Sequence, residues 1–185
     1  MLLLWTTKPK NPISKLIRWG LDEEMSHFAM CFFPQYGGVV VEQVIAGGFT
    51  VSWLPHYVKK NKVTHCLQPK TLSHEGEVKL FIETMTRFSG TKYDFGSFIY
   101  FGWRAFLRKF FKKPLPDVSQ WGRKRDTLCT GLAAIVQTLF PDWLSTKVDD
   151  FEVVTPGRLL HYMRESNKFI EKPITIVDFY REHYL

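Results

Sequence analysis

Hydrophobic and polar positions follow a two-residue rhythm through the first third of the chain and a three-to-four-residue rhythm after it. Leu2 to Thr6 is a continuous apolar run of strand length, and Ser26 to Phe33 reads as a strand stopped by Pro34. Val39 to Ile45 is its expected partner across the turn residues Gly37 and Gly38, and Gly47-Gly48 separates it from a further strand over Phe49 to Trp53. Lys62 to Leu67 is the next strand candidate before Pro69. Between the first two strands, Asn11-Pro12 offers a capping side chain and a proline for a short helix over Ile13 to Trp19.

After Ser73, the residues Val78, Phe81, Ile82, Met85 and Phe88 recur at helical spacing and predict a core-facing amphipathic helix ending near Gly90. A second helix is expected from Asp94 to about Phe111, and Pro114, Pro116 and Gly122 make the following stretch irregular. A third is expected from Thr127 to Phe140, a fourth opens at Thr155-Pro156, and Phe169 to Phe179 returns to the sheet. Sheet first and helices later is an α+β pattern, and without a repeat or linker it reads as a single domain over residues 1–185.

Composition narrows the classes. The chain of 185 residues is 45% hydrophobic and 16% aromatic, enough for a packed core and too apolar for disorder. A net charge of +7 favours anionic surroundings without selecting among them. Three widely spaced cysteines, Cys31, Cys66 and Cys129, form neither a disulfide framework nor a C-x-x-C metal pair, so reduced thiols, no metal and no cofactor are expected. The N-terminal apolar run is too short for a signal peptide or membrane span, and a cytoplasmic protein is the expectation.

Two segments carry candidate chemistry. Cys129 follows Thr127, a potential helix cap, and small residues including Thr130 and Gly131 leave room for substrate beside it. A thiol at a helix start beside an imidazolium reacts as a thiolate. His27 lies on a strand and shares its face with Ala29 and Cys31, which gives another element close access to its ring. Cys129 is then a candidate nucleophile and His27 its base; the alternative is an inert core cysteine and a structural histidine. Glu42, inside an apolar strand, is the candidate third residue that orients His27, and His65 competes with it.

The order of the Ser26-His27 strand, the Glu42 strand, the glycine pair, Tyr93-Asp94-Phe95-Gly96 and the late Cys129 helix resembles the circularly permuted NlpC-type papain-like hydrolases. Lecithin:retinol acyltransferase and its relatives are similar in placing histidine before cysteine. The resemblance runs from about Leu2 to Leu160 and includes Thr155-Pro156-Gly157-Arg158-Leu159; Leu128 departs from it, standing where the unpermuted family usually has aspartate. It implies a permuted papain-like α+β fold with Cys129 as nucleophile, His27 as base, Glu42 as third residue and Tyr93 beside the site.

The expected activity is thiol-dependent cleavage of an amide, peptide or cell-wall in type, or of an ester. Lipid acyl transfer is the alternative within the same fold. A non-enzymatic module is the alternative outside it, using the basic, aromatic stretch from Arg104 to Arg125 against membrane or nucleic acid, although nothing makes nucleic acid obligatory.

Overall fold

The protein is described by a computed structural model over residues 1–112, 128–149, 151 and 154–175. Six strands, β1 (Leu2–Thr7), β2 (His27–Phe32), β3 (Val39–Val44), β4 (Gly48–Trp53), β5 (Lys62–Pro69) and β6 (Phe169–Glu171), form one sheet. Their order is β4-β3-β2-β1-β5-β6, and every pairing is antiparallel. The helices are α1 (Pro12–Leu21), α2 (Leu54–Lys60), α3 (His74–Phe88), α4 (Phe95–Phe111), α5 (Ala133–Leu139) and α6 (Pro156–Glu165). The class is therefore α+β, as the patterning predicts.

The unbroken apolar run of β1 is explained by its place inside the sheet with both faces covered. Leu3, Trp5, Phe28, Met30 and Val41 pack on one face against α3, α5 and α6 through Leu80, Val136 and Leu159, and against Leu132 just before α5. Leu2, Leu4, Ala29, Cys31 and Val40 pack on the other against Leu54, Tyr57 and Val58 of α2. The sequence pattern does not anticipate α2. Its segment, Leu54-Pro55-His56-Tyr57-Val58-Lys59-Lys60, is too short to show a helical period, and only the uncovered sheet face beneath it decides its form.

Several boundaries agree closely with expectation for local reasons. Asn11 Oδ1 accepts from the Ile13 and Ser14 amides at the start of α1, Ser73 Oγ accepts from Gly76 N in α3, and Thr155 Oγ1 from Arg158 N in α6. The buried stripe of α3 is rotated from the expected one: Ile82 is 56% exposed, whereas Glu77, Leu80, Thr84 and Phe88 are buried. Glu77 Oε1 takes the Phe33 amide at 2.6 Å and the Thr84 hydroxyl donates to Leu80 O at 2.7 Å, so two polar side chains sit at the core satisfied.

The cysteine segment is shorter in its helix than expected. Cys129–Leu132 is a 3-10 turn that feeds α5, which ends at Leu139; Thr127, the expected cap, lies outside the described residues. The expected irregular stretch about Pro114, Pro116 and Gly122 lies outside them too; the last strand is shorter than expected, since β6 ends at Glu171, residues 172–175 are not strand, and the remainder to Phe179 lies outside the described residues.

One latch joins the early and late halves of the chain. The Glu23 carboxylate accepts from the Gly157 amide at 2.8 Å and from the Thr155 hydroxyl, across the N-terminus of α6. A Cβ at residue 157 would stand 2.6 Å from the Glu23 carboxyl carbon, which is why glycine follows Pro156. Trp5 Nε1 donates to Pro156 O at 2.8 Å from the adjacent strand. Hydrogen bonds to a charged acceptor are worth about 1.5–3 kcal/mol each, so Glu23→Ala should lower stability by about 2 kcal/mol in urea unfolding. A change below about 0.5 kcal/mol would show that the latch contributes nothing.

Candidate active site

His27 opens β2, and the antiparallel register sets Ala29 opposite Glu42. Because side chains alternate across a strand, His27, Ala29 and Glu42 share one face, with His27 and Glu42 as diagonal neighbours. Glu42 Oε2 lies 2.7 Å from His27 Nε2, and both side chains are largely buried. Cys129 lies close enough to His27 to act on its ring as well.

Cys129 reaches His27 from the opposite side of the sheet. Its 3-10 turn packs against β2 and β3, and the residue itself belongs to the core of Trp5, Phe28 and Met30. The face that His27 shares with Ala29 is covered by α2 instead, so the room left by Ala29 and Cys31 is not where the thiol enters. The two groups meet because His27 is the first residue of its strand.

Burial by itself would lower the His27 pKa, but the hydrogen bonds and charges of Cys129 and Glu42 outweigh it and raise the ring from 6.5 to about 10. The imidazole is thereby held protonated at neutral pH between a sulfur and a carboxylate. Cys31 and Cys66 have no such partner set. Burial pushes the Cys31 thiol well up and the Cys66 thiol up to about 12, so both stay protonated and inert. All three cysteines are free.

Two cavities meet at this pair. One, of about 490 Å³, is apolar and exposes Cys129 among Leu16, Trp19, Leu21, Trp103, Leu128 and Val154. The other, of about 460 Å³, is polar and exposes His27 and Glu42 with Gln43, His56, Lys60 and Asn61. Ile17, Ser26 and Tyr93 line both. Burial pushes the Tyr93 phenol well above its ordinary value, with the charges of Cys129 and Asp94 adding to it, so Tyr93 remains an O–H donor. Ser26 is tied through Ser14 Oγ, at 2.6 Å, to Thr7 Oγ1, a hydroxyl chain that holds the start of β2 against α1.

Two expected site residues stand differently. His65 is no partner of His27: β1 lies between β5 and β2, and His65 bonds instead to Glu24 at 2.7 Å, to Glu171 at 3.1 Å and to Arg164. Thr130 lines the apolar cavity, but its hydroxyl donates to Phe151 O at 3.1 Å, so it shapes the wall without offering a free donor. The residues that sequence reasoning misses are Ser14, Ser26 and those of the polar cavity on α2. Only Ser26 left a signal, as the residue preceding His27.

Neither a protein-family model nor any curated protein matches the chain. Among solved structures, the metalloprotein yiiX from Escherichia coli O157:H7 aligns over 93% of this chain and 94% of its own, at a TM-score of 0.51. The fold is similar to that of yiiX. At 14% identity, the likeness to yiiX concerns the fold alone. Among the described residues, no group of three or more His, Cys, Asp or Glu side chains is placed to hold a metal ion. The described donor set does not fit one.

Proposed function

We propose that the protein is a thiol-dependent acyl hydrolase or acyltransferase of the permuted NlpC type, forming an acyl-enzyme on Cys129. The observation that supports this reading best is the convergence of Cys129, His27 and Glu42 where an apolar and a polar cavity meet. An apolar cavity of about 490 Å³ on the nucleophile's side suits an aliphatic acyl group better than the polar backbone of a peptide, so an ester or amide of such an acid replaces a cell-wall peptide as the favoured substrate.

The thiolate of Cys129 attacks the carbonyl carbon, and the oxyanion is met by the Cys129 backbone N–H, which has no partner within its own turn. Collapse breaks the bond to the leaving group, which takes the proton of the His27 imidazolium. A water, or another hydroxyl or amine, then enters through the polar cavity and gives a proton to neutral His27 as it attacks the thioester. Release of the acid, ester or amide returns thiolate and imidazolium. Glu42 keeps the ring aligned and its positive charge stabilised throughout.

Para-nitrophenyl esters of butyrate and decanoate test the reading. Decanoate is expected to acylate faster, with the mass of one acyl group on the Cys129 peptide, and Cys129→Ala should lose both turnover and adduct. Unchanged turnover in Cys129→Ala, or an adduct elsewhere, would reject it.

A further inference from the structure

α1 and α4 pack side by side and form the rim of the apolar cavity. Their outer surface is unusual for a water-facing pair: Leu16 is 61% exposed, Trp19 and Trp103 are each 48% exposed and Ile99 46%. All four also line the cavity, so the apolar surface continues from the exterior into the site. Further along α4, Phe110 and Phe111 are exposed, and the Lys109 ammonium lies 4.2 Å over the Trp19 ring while donating to Trp19 O.

Charge on these helices has one sign. α1 contains Lys15 and Arg18, α4 contains Arg104, Arg108 and Lys109, and neither contains an acidic residue. Lys10 precedes α1 and Lys112 follows α4, both exposed. Large apolar surface rimmed by polar groups marks an interaction site. Tryptophan with lysine and arginine beside aliphatic side chains is the composition of helices lying in a bilayer interface. A nucleic acid would use the cations and stacking rings, but has no use for exposed Leu16 and Ile99. No helix among the described residues is long and apolar enough to cross a membrane, so the geometry suits lying on one.

We propose that the α1–α4 face docks on an anionic lipid bilayer, with the mouth of the Cys129 cavity against the lipid. The docking does not depend on the acyl chemistry. If both hold, the substrate's acyl chain passes from the bilayer into the cavity without crossing water.

The full chain carrying Cys129→Ala separates the two, since it should bind vesicles as the unaltered protein does even though it cannot react. Co-sedimentation with vesicles of phosphatidylcholine containing one quarter phosphatidylglycerol should show binding at least ~10-fold tighter than to phosphatidylcholine alone. A blue shift of tryptophan emission should accompany it. Lys15→Glu with Lys109→Glu should weaken binding by ~10-fold or more, as should Leu16→Ser with Ile99→Ser, with far-UV circular dichroism unchanged. Three results would overturn the proposal: no binding to anionic vesicles, binding that neither pair of substitutions reduces, or concentration-dependent dimerisation that the Leu16 and Ile99 changes abolish. Binding of a single-stranded oligonucleotide at concentrations where vesicles are not bound would assign the face to nucleic acid instead.

Discussion

Iodoacetamide at pH 6 should alkylate Cys129 at least ~100-fold faster than Cys31 or Cys66, because only the thiolate reacts. The reason is environmental and differs for each thiol. Cys66, pushed up to about 12 by burial, holds almost no thiolate at pH 6, and Cys31, still more deeply shielded from charge, holds less. Cys129 instead faces a cavity and lies beside an imidazole that remains protonated at that pH. Peptide mapping after short exposures gives the three rates directly. His27→Ala should slow the Cys129 reaction by ~10² or more, the usual scale for removing an acid–base partner, without affecting the other two. Equal labelling of all three thiols would mean a site that holds the arrangement without the reactivity, and the scaffold would then be a binding module.

Stability should fall as pH rises from about 7 to 10, and Glu42 should govern part of that fall. The folded state raises His27 from 6.5 to about 10. A group whose folded pKa lies above its unfolded value stabilises the fold fully below the unfolded value, near 6.5, and loses that contribution as pH climbs through about 10. His27 taken alone contributes a slope of at most ~1.4 kcal/mol per pH unit in this window. Urea unfolding at half-unit intervals measures it. Cys129→Ala removes the side chain that raises the ring most, and Glu42→Gln removes the carboxylate 2.7 Å from Nε2; each should flatten the slope between pH 7 and 10. Glu42→Gln should also reduce acylation by ~10-fold or more, through a misaligned and less basic ring. A slope in Glu42→Gln identical to that of the unaltered protein would remove Glu42 from the site.

These two results differ in what they test. Alkylation reads the sulfur and its access, whereas the pH slope reads the proton on His27. Agreement would tie the sulfur's reactivity to the proton held on His27.

Much of the architecture was legible from local pattern. The capping side chains of Asn11, Ser73 and Thr155, the proline stop at Pro34 and the alternation of β2 and β3 are short-range effects, and the elements they bound appear within one or two residues of expectation. Glu42 was legible for a related reason: a carboxylate inside an apolar strand needs a partner, and antiparallel register makes His27 its diagonal neighbour.

Four features were decided elsewhere. Helix α2 forms because a sheet face needs covering, a demand that seven residues do not reveal. The exposed Ile82 and buried Thr84 exchange places because the angle at which α3 meets the sheet is set by its neighbours, and Leu80 O can satisfy the hydroxyl. His65 competed with Glu42 as a partner in sequence, but strand order puts β1 between His65 and His27. The approach of Cys129 from the far side of the sheet is likewise non-local, since about a hundred residues separate it from His27. Residue types and spacing thus carry the chemistry that the chain has available, because propensities, caps and alternation act over a few residues. Packing of the two sheet faces decides which of those groups touch, which are buried beyond use, and that Cys129 opens onto an apolar cavity while His27 opens onto a polar one.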